Sequence, residues 1–280
     1  MGRTHGTVTG TSWIQQAAAV SHAWHLAIVA EGYTHLEMGQ FAIDADYLAQ
    51  GLLATAPFNL FANKINILRL DVESDDSGAD QPSTCSGVSS VWVDTYFDAT
   101  FCTNGIERLL TVDTNLVRQT FREHRIAFHD AIVLVNSTDY GGSGEAQIAV
   151  CSKHTDALNI ALHELGHSAF DLGEEYTEGF GLYSGEEPFA PNNTIATTLA
   201  GLKWKAHVPA GTPIPTFRGL QCSQHRVQQA AASGTIGTFE GADRYDCGLY
   251  SPSAVCKMRD RSSPFCTVCA ARIADKLSAI

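Results

Sequence analysis

Charge is scarce in this chain, and positive charge scarcest. Only 17% of its 280 residues are Asp, Glu, Lys or Arg, with 18 bases against 30 acids and a formal net charge of -12. Nucleic acids and anionic membranes are bound through clusters of Lys and Arg, so neither is expected as a partner. No apolar run approaches the roughly 20 residues that a membrane-spanning helix needs. Met1-Gly2-Arg3-Thr4-His5 lacks the charged and apolar regions of a signal peptide, which gives the expectation that any secretion signal has been removed. Methionine is rare too, at three residues. What the chain has in quantity is apolar mass, 44% of its residues, enough for a substantial core in one large domain or two small ones.

Cysteine is present in even number, at Cys85, Cys102, Cys151, Cys222, Cys247, Cys256, Cys266 and Cys269. These eight allow up to four disulfides, as suits an exported protein, with a connectivity that spacing does not reveal. Cys266-x-x-Cys269 has no second pair at matching spacing to make a zinc ribbon and lies at the start of a helix-like tail. Disulfide partners are the expectation for both.

The densest chemistry lies between Thr155 and His167, in Thr-Asp-Ala-Leu-Asn-Ile-Ala-Leu-His-Glu-Leu-Gly-His. Leu158, Ala161, Leu162 and Leu165 recur at the three- and four-residue intervals of a buried helical stripe, and Thr155 is the expected N-cap. On that helix His163 and His167 fall one turn apart on one face, where two imidazoles can hold one zinc ion. Glu164 beside them is the natural base for a zinc-acidified water. The helix should end near Asp171, a residue type that tolerates a left-handed turn. Glu174 and Glu175 follow, and each offers a third ligand. Far downstream, Met258 sits in a Cys- and Pro-rich turn region, Cys256-Lys257-Met258-Arg259, as the methionine beneath a metzincin zinc site does.

In chain order, Trp24–Ala30 reads as a buried strand. Thr34-His35-Leu36-Glu37 is a capping box opening a helix with Met38, Phe41, Ala45, Leu48 and Leu52 inward, which Pro57 closes off. Lys64–Val72 returns as a strand, and a strand-helix-strand unit implies parallel pairing with a right-handed crossover. The acids between Glu73 and Pro82 do not have the spacing of a calcium loop, and no calcium is assigned. Asp113 caps a second helix, Ala131–Val135 is a central strand, and Gln147–Cys151 is a short strand just ahead of the His163–His167 helix, in the place where zincins carry an exposed edge strand to which substrate can add. From Gly179 to Phe217 periodicity is scarce, and only Phe265–Leu277 again reads as helix. Asn192-Asn193-Thr194 fits a glycosylation pattern that we take as chance.

Several blocks, in order along the chain, resemble peptidase family M64, the IgA-peptidase-like zinc metallopeptidases. They are Glu31-Gly32-Tyr33-Thr34, Ser77-Gly78-Ala79-Asp80, Tyr140-Gly141-Gly142-Ser143-Gly144, the His163–His167 motif with Glu174-Glu175-Tyr176, Phe239-Glu240-Gly241-Ala242, Gly248-Leu249-Tyr250-x-Pro252, and Cys256-x-Met258-Arg259 with Phe265-Cys266-x-x-Cys269. The resemblance implies an α/β protein of zincin, metzincin-like fold. Its single metallopeptidase domain (1–280) would join an N-terminal α/β part (1–171), with a mixed twisted sheet and the active-site helix, to a loop-rich C-terminal part (172–280) with the methionine turn and a terminal helix. It implies a secreted bacterial endopeptidase, monomeric, with one catalytic zinc and a protein or peptide substrate. The ligands would be His163, His167 and Glu174, the last standing where the family pattern has an aspartate, with Glu175 as the alternative. Glu164 would be the catalytic base, and Met258 the structural methionine. Tyr245 and Tyr250 are both available for oxyanion support, and spacing selects neither. An exopeptidase or amidase acting on small or cell-wall peptides, and a non-catalytic zinc-containing binding module, are the alternative readings.

Overall fold

The computed structural model describes residues 5–17, 22–86, 89–218 and 234–280. The chain forms two compact units, Met1–Ala169 together with Ile280, and Phe170–Ala279.

The first unit is a mixed α/β structure built on one sheet. Its strands are β1 (Gly6–Gln16), β2 (Trp24–Glu31), β3 (Ile65–Ser74), β4 (Asp130–Val135), β5 (Gly142–Glu145) and β6 (Ile148–Ser152), and its helices are α1 (Met38–Ala54), the single turn α2 (Ser83–Ser86), α3 (Thr114–Glu123) and α4 (Ala157–Ser168). The strand order is β1-β3-β2-β4-β6-β5. The inner strands β3, β2, β4 and β6 run parallel, while β1 and β5 close the two edges antiparallel. Every residue of β2, β4 and β6 is buried. That is why these strands read as unbroken apolar runs, since a parallel strand covered on both faces has no polar side to show. In register, Ile28 stands between Arg69 and Ile132.

Helix α1 makes the crossover from β2 to β3. Thr34 and Glu37 form the expected capping box ahead of it, with the Thr34 amide donating to Glu37 Oε2 at 2.9 Å. Phe41, Ala45, Leu48, Ala49 and Leu52 are its buried stripe. Gly51 sits where a Cβ would meet Leu158 of α4 at 2.5 Å, so this glycine lets the two helices approach. Asp113 caps α3 by accepting from the amides of Asn115 and Leu116. At the end of β2 the buried Glu31 carboxylate accepts from the Phe97 and Ala99 amides at 2.9 and 3.0 Å and fixes the long loop after β3. That loop also carries the Cys85–Cys102 disulfide.

Two expectations are corrected here. The strand ahead of α4 is not at an edge: β6 is an inner strand, and the glycine-rich β5 pairs outside it. The N-cap of α4 is Asp156 rather than Thr155; the Ala157 amide bonds back to the His154 carbonyl, which starts the first turn one residue later.

Among its described residues, the second unit has loops with two short 3-10 turns, a hairpin of β7 (Phe239–Ala242) and β8 (Tyr245–Ser251), and helix α5 (Thr267–Ser278). The hairpin turns on Asp243 and Arg244, both with positive φ (46° and 69°), the left-handed pair that a two-residue turn matched to strand twist requires. Helix α5 buries Val268, Cys269, Ile273 and Leu277 along one stripe. Among the described residues no helix is long and apolar enough to cross a membrane.

Candidate active site

Helix α4 is rich in Ala and Leu, good helix formers, and is buried almost all round, from Ala157 through Ile160–Gly166 to Ser168. It packs on β5 and β6. The approach to β5 depends on the two glycines of that strand, Gly142 and Gly144. A Cβ on Gly142 would meet Ile160 Cγ2 at 2.6 Å and Val150 O at 2.8 Å, and a Cβ on Gly144 would meet the Glu164 carbonyl oxygen at 2.5 Å. The Tyr-Gly-Gly-Ser-Gly block is therefore the seat of the helix that carries the His-Glu-x-x-His motif.

On α4 the two imidazoles converge as their spacing predicts. His163 Nε2 and His167 Nε2 lie 3.2 Å apart, with the rings nearly perpendicular at 87°. Two bonds of about 2.0–2.1 Å to one tetrahedral zinc would set their nitrogens roughly 3.3 Å apart, so the pair fits the ion without rearrangement. His163 is 1% exposed and Glu164 6%, so these polar side chains stand in a nearly dry setting. Cys151 of β6, fully buried, lies close enough to Glu164 to feel its charge. Burial first, and then Glu164, push its thiol far above the ordinary range and keep it protonated.

In the second unit, α4's successor segment takes the expected left-handed turn at Asp171, φ 59°. Its carboxylate is gripped by Arg272 at 2.5 Å and Lys276 at 2.9 Å, both on α5. Burial works against its ionisation, but the hydrogen bonds and charges of Lys276 and Arg272 outweigh it and hold the carboxyl below its usual range. The two acids that sequence left as alternatives then part company. Glu174 Oε1 accepts from the Tyr176 hydroxyl at 2.8 Å, and its backbone carbonyl accepts from the Asp243 amide. Glu175 is fully buried. Its Oε1 accepts from Asn192 Nδ2 at 2.9 Å and from the Cys269 thiol at 3.1 Å, and its amide donates to the Met258 carbonyl at 2.8 Å. Burial drives the Glu175 carboxyl well above the carboxylate range, against the lowering pull of Asn192, Arg259 and Cys269.

Met258 is itself completely buried, in a turn closed by the Arg259 and Asp260 amides on the Cys256 carbonyl. Tyr250 is turned toward Glu240, with its hydroxyl 3.5 Å from Oε1, and Tyr245 packs against the rings of Phe180 and Tyr183. Asn192, the acceptor position of the glycosylation pattern, is buried and bonded to both the amide and the carbonyl of Gly173.

The cysteines depart from expectation. Cys85–Cys102 is a disulfide and Cys247 is disulfide-bonded, but Cys151, Cys256, Cys266 and Cys269 are free thiols, all buried. Cys222 lies outside the described residues. Neither the glycine seat of α4 nor the gathering of Glu175 with three cysteines was recognised from sequence; the close-set glycines of 141–144 and the Cys266-x-x-Cys269 spacing were the available signals.

A cavity of about 630 Å³ lies not over the imidazoles but at the start of β5, lined among others by Phe101, Arg108, Asp139 and Tyr140. The chemistry of the His pair, and not cavity size, marks the site.

No curated protein matches the chain. Its sequence does match the profile of IgA Peptidase M64 over residues 13–227 and 220–277, nearly the whole length. The chain belongs to the IgA peptidase M64 family and is a metallopeptidase.

Proposed function

We propose that the protein is a secreted, zinc-dependent endopeptidase of zincin type, with His163, His167 and Glu174 as the ligands of one catalytic zinc and Glu164 as its general base. The observation that carries this reading is the 3.2 Å convergence of the two imidazole nitrogens on α4, one residue from an almost buried carboxylate. Two neutral imidazoles and a carboxylate are a donor set that suits zinc. Glu174 is favoured as the third ligand because Glu175 is engaged within its own unit by Asn192, Cys269 and the Met258 carbonyl. The Tyr176 hydroxyl, donating to Glu174 Oε1, orients that carboxylate.

A zinc ion bound by these residues supplies Lewis acidity, which makes a water acidic and a scissile carbonyl electrophilic. Glu164 accepts the proton of the attacking water on a carboxylate oxygen and passes it to the departing amine nitrogen. The low exposure of His163 and Glu164 keeps bulk water from competing for that proton. Strand β5, at the sheet edge and anchored to α4, is bridged at Gly142 to Leu109, and its remaining backbone, Ser143–Glu145, is the stretch to which an extended peptide can add as a further strand. A strand that can receive an extended chain favours an internal bond over a terminal one, and a retained base at position 164 favours catalysis over a purely binding role.

Cleavage of an internally quenched peptide, abolished by a strong chelator and restored by stoichiometric zinc, is the expected result. Activity undiminished by the chelator, or confined to an aminoacyl dye, would overturn the proposal.

A further inference from the structure

Outside the histidine motif, the second unit gathers four potential metal ligands in its interior. Glu175, Cys256, Cys266 and Cys269 each present one donor atom within 4.8 Å of the others, and all four side chains are buried. Cys256 Sγ and Cys269 Sγ are 3.6 Å apart, Cys269 Sγ is 3.1 Å from Glu175 Oε1, and the Cys266 amide points at Cys256 Sγ at 3.4 Å. Two sulfurs on one tetrahedral zinc, at about 2.3 Å each, stand roughly 3.8 Å apart; a disulfide would hold them at about 2.05 Å. The observed 3.6 Å rules out a disulfide between these two and is close to the co-ligand distance.

We propose that these four residues hold a second zinc ion, in a closed structural site distinct from the histidine pair. Three sulfurs and one carboxylate oxygen complete a tetrahedral set, leaving no position for water or substrate, which is the mark of a structural rather than a catalytic zinc. Thiolates select a soft or borderline cation over magnesium or calcium.

Glu175 supplies the second, independent observation. It is 0% exposed, and its Oε2 has no hydrogen-bond partner among the described residues. A carboxylate so placed is costly unless a cation meets it. Arg259, itself largely buried, acts electrostatically on Glu175, Cys256 and Cys266 and offsets part of the negative charge that four anionic ligands bring. Its guanidinium is committed to Gly241 O at 3.1 Å and Ser251 Oγ at 2.7 Å, so it balances charge without ligating.

The ligands come from three places: the residue after Glu174, the turn that holds Met258, and the first turn of α5 with its N-cap. The ion would staple these together, fixing the backbone on either side of Glu174 and the methionine turn. It would also explain why three cysteines sit together as free thiols.

The test is zinc content of the full chain, prepared without oxidant, for the parent protein and for His163→Ala/His167→Ala, in which the cysteine site is untouched. Two zinc ions per chain are expected in the parent and one in the double variant. Cobalt loaded into that variant should give the intense near-ultraviolet charge-transfer band of thiolate ligation. Adding Cys256→Ser and Cys269→Ser should abolish both the remaining zinc and the band. A double variant that folds but holds no zinc, or a mass-spectrometric cross-link between any two of these three cysteines in the native protein, would overturn the proposal. A parent with one zinc that survives loss of both histidines would support the cysteine site while sinking the catalytic zinc, so the two proposals fail separately.

Discussion

Replacing Gly144 with alanine puts one methyl group where β5 crosses α4. The added carbon would lie 2.5 Å from the Glu164 carbonyl oxygen and 3.1 Å from His167 Cβ, whereas real Cβ atoms essentially never approach other heavy atoms below 3.0 Å. The obstacle is a helical backbone carbonyl, which cannot swing aside as a side chain would. Strand and helix must therefore separate by about half an ångström or more. Overpacking of this kind costs about 1–3 kcal/mol, and a melting temperature lower by roughly 3 to 10 °C follows for a protein of this size. The displaced residues are the proposed base and one proposed ligand. Since a misplacement of about 1 Å can cost on the order of 100-fold in rate, half of that should reduce kcat/KM by about tenfold. Thermal unfolding followed by circular dichroism and turnover of a quenched peptide measure the two effects. Gly10→Ala in β1, where nothing lies within 4 Å of the added carbon, is the control. A Gly144→Ala protein that melts within a degree of the parent with unchanged kcat/KM would refute the claim that glycine is required to seat the helix.

Glu174→Ala should weaken the zinc on which activity depends by at least about tenfold, as loss of a direct ligand does, while Glu175→Ala should shift it less; chelator titration of activity reads both, and the reverse ranking would move the third ligand to Glu175. Glu31, pushed up by burial from 4.5 to about 7, favours its protonated form in the folded state, so its contribution to stability is full below pH 4.5 and is lost as pH rises through about 7, an effect of roughly 3 kcal/mol. Urea midpoints across that window should fall in the parent and stay flatter in Glu31→Gln; identical pH profiles would contradict the assignment. Asn192→Ala strips partners from the Gly173 amide and carbonyl and from Glu175, and should cost about 2–3 kcal/mol in denaturant unfolding, whereas a loss below about 0.5 kcal/mol would show that water replaces the amide.

The inner strands and α1 were legible in the sequence because burial on both faces, or on one helical stripe, leaves a periodic apolar record. Strand β1 left none that stood out. Its Thr- and Gly-rich sequence is covered on one side only and exposed along much of the other. Strand β5, Gly-Ser-Gly-Glu, has no apolar residue, and its partner β6 took the edge position in the sequence reading. The β7–β8 hairpin turns on Asp-Arg, which lacks the glycine that usually announces such a turn. In the site, His163 and His167 were legible because a four-residue spacing on a helix fixes their geometry. Adjacent acids such as Glu174 and Glu175 carry no such information, and only the burial of Glu175 against Asn192 and Cys269 separates them. The free state of Cys256, Cys266 and Cys269 was illegible for a similar reason: an even cysteine count does not say which thiols meet at bonding distance.

The central claim is that Glu164 moves the proton in a zinc-dependent hydrolysis, and Glu164→Gln tests it most directly, because the substitution keeps the size of the side chain and leaves both imidazoles in place. Zinc content and the unfolding midpoint should match the parent, while kcat falls by about 10²- to 10⁴-fold. Turnover near the parental level in a variant that retains its zinc would contradict the account.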